Sequence, residues 1–154
     1  MGDSAREFTS VQQRNLRFMK PVSAFLGWLG AVNMLLLASY ILSTYASLSM
    51  IPPVTELRLP VQLGVTIFAA SAVMLTYGST LIWKGDNLKG GLVNLMAGSL
   101  GPIPTYMYFA FFSQPALLRW AGPFGLTLLA PAMLSGIAGI YAKRLGSRPV
   151  SRSG

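Results

Sequence analysis

The stretch VSAFLGWLGAVNMLLLASYILSTYAS, residues 22–47, contains no Asp, Glu, Lys or Arg. A helix crosses the hydrocarbon core of a bilayer with about 20 predominantly apolar residues, so this stretch is long enough to span a membrane. Three further stretches of this kind follow at about 61–83, 92–112 and 120–142. None shows the period-two alternation of a barrel strand, and backbone groups in lipid must be satisfied within the segment. The sequence therefore predicts an all-α protein, an integral membrane four-helix bundle.

The composition agrees with this class of protein. The chain of 154 residues is 53% hydrophobic and only 10% charged, and its mean hydropathy is +0.54. These values are typical of a membrane protein and not of an ordinary soluble domain. We assign residues 22–142 to a domain of four transmembrane helices. A basic cytoplasmic tail, residues 1–21, precedes it, and a flexible basic cytoplasmic tail, residues 143–154, follows it.

The cations are divided unequally between the two sides of the predicted bundle. Of the twelve Lys and Arg residues, only Arg58 and Arg119 fall in the first and third loops, and the other ten fall in the tails and the second loop. The positive-inside rule then places both termini in the cytoplasm, in a multi-pass protein of the plasma (inner) membrane. The formal net charge of +8 predicts attraction to anionic lipid headgroups. No basic cluster interleaved with aromatic residues indicates nucleic-acid binding.

The tail of residues 1–21 has two interpretations. Ser4 and Glu7 have the spacing of a capping box, and Phe8, Val11 and Phe18 recur at near-helical spacing. An interfacial amphipathic helix on the cytoplasmic leaflet is one expectation. A disordered basic tail is the other.

The side chains that carry most enzyme chemistry are missing from the predicted spans. The chain contains no Cys and no His. Its four carboxylates lie in tails or loops: Asp3, Glu7, Glu56 and Asp86. The usual ligands of zinc, haem and iron–sulfur clusters, Cys/His nucleophiles and an intramembrane proton carrier are therefore lacking. We predict no catalytic residue, no metal site and no cofactor, and we expect that the protein is not an enzyme.

Prolines interrupt the third and fourth predicted helices. The stretch NLMAGSLGPIPTYMYFAF, residues 94–111, contains Pro102 and Pro104, and Pro131 lies in the fourth helix. Proline cannot donate a hydrogen bond to the carbonyl four residues earlier, so we expect kinks in both helices near the middle of the membrane. Interrupted helices at that depth are a sequence sign of a binding site, and they are also found as simple kinks.

Small and polar residues align on one face of the third predicted helix. Their spacing of four, three, four and three residues places them in a narrow stripe. Such stripes pack membrane helices together, or they line a passage for a neutral solute, and both alternatives remain open. The candidate cavity or helix-packing face comprises this stripe and four residues of the other helices: Asn94, Gly98, Gly101, Thr105, Tyr108, Thr127, Pro131, Asn33 and Gln62.

The segment WKGDNLKGG, residues 83–91, has the composition of a helix–helix turn. Gly85 can end the second helix in a left-handed conformation, and Asp86 or Asn87 can cap the next helix. A phosphate-binding loop is not indicated, because no strand precedes the glycines and the Walker pattern is missing.

The longer stretch LIWKGDNLKGGLVNLMAGSL, residues 81–100, resembles the start of the amide/urea channel family, typified by acid-gated urea channels. The likeness covers a helix end, a short polar turn and the positions of Asn94, Leu95 and Gly98. It implies passive passage of a small uncharged amide through an oligomer. The chain departs from that family in having four predicted spans where the family usually has six or more.

Two functions are compatible with these features. A non-catalytic accessory or structural subunit of a membrane complex would pack its glycine faces against other membrane subunits. An oligomeric channel or transport subunit would pass a small neutral solute through a homo-oligomer, with a midplane site at the interrupted helices. The stripe from Asn94 to Tyr108 distinguishes the two, because burial against a helix favours the subunit and a wet cavity favours the channel.

Overall fold

The computed structural model describes residues 2–48, 58–101, 103 and 115–146, and most side chains within 17–46, 59–101 and 129–144. Over these residues the chain is all-helical, with four helices and no strand. The helices are α1 (Gly2–Leu48), α2 (Arg58–Lys84), α3 (Asn87–Leu100) and α4 (Pro115–Gly146). The predicted all-α class and the number of helices are thereby confirmed.

Each helix packs against two antiparallel neighbours. α1 lies against α2 and α4, and α3 lies against the same two helices, whereas the diagonal pairs barely meet. The antiparallel order follows from the contacts, since Gly90 of α3 approaches Ile82 of α2 while Asn94, one turn later, approaches Gly78. The four helices therefore enclose a central axis toward which one face of each helix points.

Two of these helices are long and apolar enough to cross a membrane by length and composition. They are the segments Arg17–Ser43 of α1 and Val61–Lys84 of α2. The described part of the third predicted span, residues 92–112, ends with α3 at Leu100, and Pro102 and Pro104 lie outside the described residues. α4 runs as a single helix from Pro115 to Gly146, with Pro131 inside it. The predicted kinks therefore stay predictions.

α1 begins well before the first predicted span. It includes nearly all of the tail of residues 1–21 and continues through Pro21, which lies inside the helix. A proline there removes one backbone hydrogen bond, to the carbonyl of Arg17. The placement of this segment at a membrane surface stays a prediction.

The turn between α2 and α3 is built as its sequence predicts. Gly85 has φ of +111°, its N–H donates to the carbonyl of Ile82 at 3.0 Å, and the N–H of Asp86 donates to the carbonyl of Leu81 at 2.9 Å. These two bonds and the left-handed glycine form a Schellman motif. Asp86 is the N-cap of α3 and accepts a hydrogen bond from the backbone N–H of Lys89 at 3.4 Å. Two residues thus reverse the chain and hold α2 and α3 side by side.

The described apolar core lies along the axis on one side of the bundle centre. Met34 of α1, Phe68 and Leu75 of α2 and Leu129 of α4 are each 2% exposed or less, and they belong to one contact cluster with Ala97 of α3. All four helices contribute to this cluster, and Ile82 of α2 is also fully buried, closer to the α2–α3 turn.

Candidate functional site

A cluster of polar side chains occupies the centre of the bundle, in the half nearer the α2–α3 turn. Asn94 of α3 is fully buried. Its Nδ2 donates to Oγ of Ser79 on α2 at 3.2 Å and to Oγ of Ser135 on α4 at 2.7 Å. One carboxamide therefore connects three helices. The two hydrogen bonds that its Nδ2 donates offset the cost of burying this polar group.

Ser135 connects this amide to the remaining helix, α1. Its Oγ donates to the backbone carbonyl of Ser23 at 2.6 Å, and Oγ of Ser23 donates to the backbone carbonyl of Ser135 at 2.8 Å. Both serines are fully buried. The side chains of Ser23, Ser79, Asn94 and Ser135, which we call the central polar cluster, thus link all four helices.

Two glycines provide the space for the Asn94 carboxamide. A Cβ added at Gly27 of α1 would overlap Oγ of Ser79 and would lie 2.6 Å from Nδ2 of Asn94 and 2.8 Å from Oγ of Ser135. A Cβ added at Gly78 of α2 would overlap Oδ1 of Asn94. The carboxamide therefore lies in a narrow slot between α1 and α2 that is closed to any larger residue at either glycine.

Oδ1 of Asn94 accepts no hydrogen bond from any described residue. It lies against Gly78, where an added Cβ would overlap it. A buried acceptor without a strong partner is costly, so the position of this side chain is set by the two bonds that its Nδ2 donates and by the shape of the slot.

The predicted stripe on α3 faces the interior over its described part. Asn94, Gly98 and Gly101 are all buried. Gly98 approaches Ala132 and Met133 of α4, and Gly101 approaches Met34 of α1 and Leu129 of α4. A Cβ at either glycine would lie within 2.6–3.2 Å of these atoms, so the described stripe is filled by neighbouring helices of the same chain.

The other predicted site residues are not gathered around this stripe. Gln62 is exposed on the outside of α2, Asn33 is half-buried on α1, and Pro131 is half-buried on α4. Thr127 lies within α4, but its side chain is outside the described set, and Thr105 and Tyr108 lie outside the described residues altogether. Of the nine residues, the structure brings together Asn94, Gly98 and Gly101.

Four members of the central arrangement were not singled out from the sequence. They are Ser23, Ser79 and Ser135, which pair with Asn94 or with each other, and Gly78. The sequence held a weak signal for two of them, since Ser23 lies four residues before Gly27 and Ser135 lies three residues after Ala132 and four before Gly139, which places small residues on one face of each helix. Serine is common in helices for other reasons, so this signal does not stand out.

The chemistry available in the central polar cluster is hydrogen bonding between neutral groups. Three hydroxyls and one carboxamide form it, and no described carboxylate, ammonium or guanidinium group joins them. Over the described residues no group of three or more His, Cys, Asp or Glu side chains is placed to hold a metal ion. The cluster therefore suits the joining of helices and offers no general base beside its hydroxyls.

Cations and two tryptophans lie at the end of the bundle where α2 turns into α3, which we call the turn end. Nζ of Lys20 lies 3.3 Å from the position that a Cβ at Gly85 would occupy, and Lys84 is exposed beside it. The rings of Trp28 and Trp83 form a tilted pair, with centroids 5.9 Å apart and an interplanar angle of 43°. α1 and α2 thus present charge and aromatic surface side by side at this end.

Comparison of the chain with protein-family models, with curated proteins and with solved structures returned no match. The resemblance of residues 81–100 to the amide/urea channel family therefore rests on those residues alone.

Proposed function

We propose that this chain is an integral membrane four-helix bundle with both termini in the cytoplasm, and that it serves as a non-catalytic accessory or structural subunit of a membrane complex. The observation that carries the proposal is the distribution of side chains between the inside and the outside of the bundle. The buried interior combines an apolar core with the central polar cluster, and the outside of the bundle exposes large apolar side chains, which is the arrangement that suits a lipid environment.

The outside of the bundle is apolar on all four helices. Leu36 of α1, Val73 of α2, Met96 of α3 and Ile137 of α4 each expose more than half of their surface, and Val73 reaches 70%. Soluble proteins rarely expose apolar surface of this extent without covering it. A lipid phase covers it without any further contact, and the two helices long enough to span a membrane carry much of it.

The polar groups on the outer face of α2 are compatible with lipid as well. Thr66 is exposed, and its Oγ1 donates to the carbonyl of Gln62 at 2.8 Å. Thr76 and Thr80 donate in the same way to the carbonyls four residues earlier, at 2.9 and 2.8 Å. Hydroxyls satisfied within their own helix need no partner from water, so this face is suited to contact with lipid or with another membrane helix.

Orientation follows from the charges at the turn end. Arg17 and Lys20 of α1, Lys84 of α2, Lys89 of α3 and Lys143 of α4 belong to the end that the positive-inside rule assigns to the cytoplasm. Because neighbouring helices are antiparallel, the start of α1 and the end of α4 lie at this same end. Both termini in the cytoplasm is the orientation that accounts for this charge distribution.

An accessory or structural role is favoured over a channel by the packing of the α3 stripe. Asn94, Gly98 and Gly101 contact the other helices of the chain closely, and a passage along this stripe would require those helices to separate. The central polar cluster would then serve to hold the four helices in one arrangement, which presents a constant outer surface to other membrane subunits.

The first test is of membrane integration and orientation. The chain contains no Cys, so single cysteines can be introduced at Ser10, in the loop of residues 49–57 and at Ser151 without competing thiols. In spheroplasts, a membrane-impermeant maleimide should label only the loop cysteine, and permeabilisation should expose the other two. Labelling of the tail cysteines from outside would contradict the proposed orientation, and recovery of the protein in the soluble fraction would contradict membrane integration.

The second test is of the accessory role. The protein is purified in a mild detergent without crosslinking, and native mass spectrometry identifies what accompanies it. Recovery in fixed stoichiometry with a larger, different membrane protein is the expected result. Recovery as a closed homo-oligomer that makes liposomes permeable to urea or another neutral solute would replace this proposal with the channel alternative.

A further inference from the structure

We propose that the outer groove between α1 and α2 at the turn end binds a phospholipid with an anionic headgroup. The proposal rests on the membrane location proposed above and adds a defined site to it. Arg17, Lys20 and Lys84 would hold the headgroup phosphate, and the paired rings of Trp28 and Trp83 would contact the glycerol and upper acyl region.

The cations of this groove come from two helices that meet at one point. Lys20 reaches across from α1 so that its Nζ lies beside Gly85, the residue that follows Lys84. Lys20 is half-buried, and Lys84 and Arg17 are exposed. Arg17, Ala24 and Trp28 are spaced by seven and four residues, so they share one face of α1. Arg17 therefore lies on the same face of α1 as Trp28, and Lys20 and Lys84 add two positive charges at the same end of the helix pair.

The tryptophan pair lies where the interface of a membrane would be. Trp28 is eight residues beyond Lys20, about 12 Å farther along α1 at the helical rise, and Trp83 directly precedes Lys84. Side chains on a helix lean toward its amino end, and α1 and α2 are antiparallel, so the two rings lean toward each other. Trp83 remains 59% exposed, which leaves aromatic surface free to contact a lipid.

Charge complementarity selects an anionic lipid. Within the described residues Asp86 is the one carboxylate near this groove, and its Oδ2 already lies 3.4 Å from Nζ of Lys89 on the far side of the turn. Lys20, Lys84 and Arg17 have no carboxylate partner among the described residues. Lysine and arginine at a membrane surface bind anionic headgroups, and tryptophan favours the same depth, so one phospholipid can satisfy both.

The test uses the fluorescence of the two groove tryptophans. The full-length Trp120→Phe protein retains only Trp28 and Trp83 as tryptophans. It is reconstituted into phosphatidylcholine vesicles that contain increasing fractions of either brominated phosphatidylglycerol or brominated phosphatidylcholine. Bromine on an acyl chain quenches a tryptophan that it contacts, so the two titrations give the relative affinity of the groove for the anionic and the zwitterionic lipid.

We expect the groove to bind phosphatidylglycerol roughly five-fold or more tightly than phosphatidylcholine. This is about the factor by which one basic residue strengthens binding to an anionic membrane surface. In the variant Arg17→Gln/Lys20→Gln/Lys84→Gln the preference should fall to within about two-fold of unity. The control variant Lys143→Gln/Arg148→Gln/Arg152→Gln removes the same charge from the end of the chain and should keep the preference. The single variant Lys84→Gln changes an exposed side chain only and should give a partial loss.

Each contrary outcome has a distinct meaning. Equal quenching by the two lipids in the Trp120→Phe protein would overturn the site while leaving the membrane location intact. An unchanged preference in the triple variant, or an equal loss in the control variant, would also overturn it, because the preference would then come from other residues or from overall charge. Failure of the protein to float with the vesicles would overturn the membrane location itself.

Discussion

Substitution of Gly27 by alanine tests the central packing most directly. Alanine is ordinarily better than glycine within a helix by about 1 kcal/mol, so an open site would gain stability. Here the new Cβ would overlap Oγ of Ser79 and would lie 2.6 Å from Nδ2 of Asn94 and 2.8 Å from Oγ of Ser135. All three atoms belong to fully buried side chains on different helices, and moving them breaks the hydrogen bonds of the central polar cluster.

The expected loss follows from two effects. Overpacking of a well-packed interior costs about 1–3 kcal/mol, and each interhelical hydrogen bond that is lost in a membrane protein costs about 0.6 kcal/mol. After the gain in helix propensity is subtracted, we expect Gly27→Ala to lower the free energy of unfolding by about 1–3 kcal/mol. The measurement is reversible unfolding in mixed micelles with increasing SDS, followed by circular dichroism.

Two further variants make the result interpretable. Ser39→Thr adds a methyl group at an exposed position of the same helix and should change stability by no more than a few tenths of a kcal/mol. Ser79→Ala removes the atom nearest the new Cβ, so Gly27→Ala should cost less in the Ser79→Ala background, as contacting residues couple in a double-mutant cycle. Unchanged or increased stability of Gly27→Ala alone would refute the close packing around Asn94.

Two other substitutions test separate parts of the structure by the same unfolding measurement. Asn94→Ala removes the donor of two buried hydrogen bonds and should cost about 1–3 kcal/mol, whereas Ser99→Ala on the same helix removes only an exposed bond to the carbonyl of Leu95 and should cost much less. Equal costs would show that Asn94 does not join the helices. Gly85→Ala places a side chain at φ of +111° and should cost about 1–2 kcal/mol, and a neutral effect would contradict the Schellman turn.

The parts of the fold that could be predicted from the sequence are those set by local rules. The helical class follows from long apolar stretches without alternation, and the α2–α3 turn follows from Gly85 and Asp86, whose backbone preferences act within a few residues. The continuation of α1 from the tail through Pro21 into the first span was not predicted, because apolarity marks where a helix can lie in lipid and not where helical hydrogen bonding begins.

The composition of the centre could be predicted only in part. Periodicity identifies residues that share a face of a helix, but it does not show which face points inward. Asn94, Gly98 and Gly101 point toward the axis, whereas Gln62, which the sequence also assigned to the candidate face, is exposed on α2. Ser23 and Ser135 are 112 residues apart in the sequence, and no local pattern connects two serines at that separation.

The hydrogen bonds of the central polar cluster join residues that are near or far apart in the sequence. These separations affect the order in which the helices assemble during synthesis. Asn94 bonds to Ser79, which is 15 residues earlier, across a two-residue turn, so α2 and α3 can pair as a hairpin as soon as both have emerged. The bonds from Asn94 and from Ser23 to α4 span 41 and 112 residues, and they must wait for the last helix. Until α4 is synthesised, the hydroxyl of Ser23 and one donor of Asn94 lack their final partners. A delay in the synthesis of α4 would therefore expose the nascent chain to misassembly.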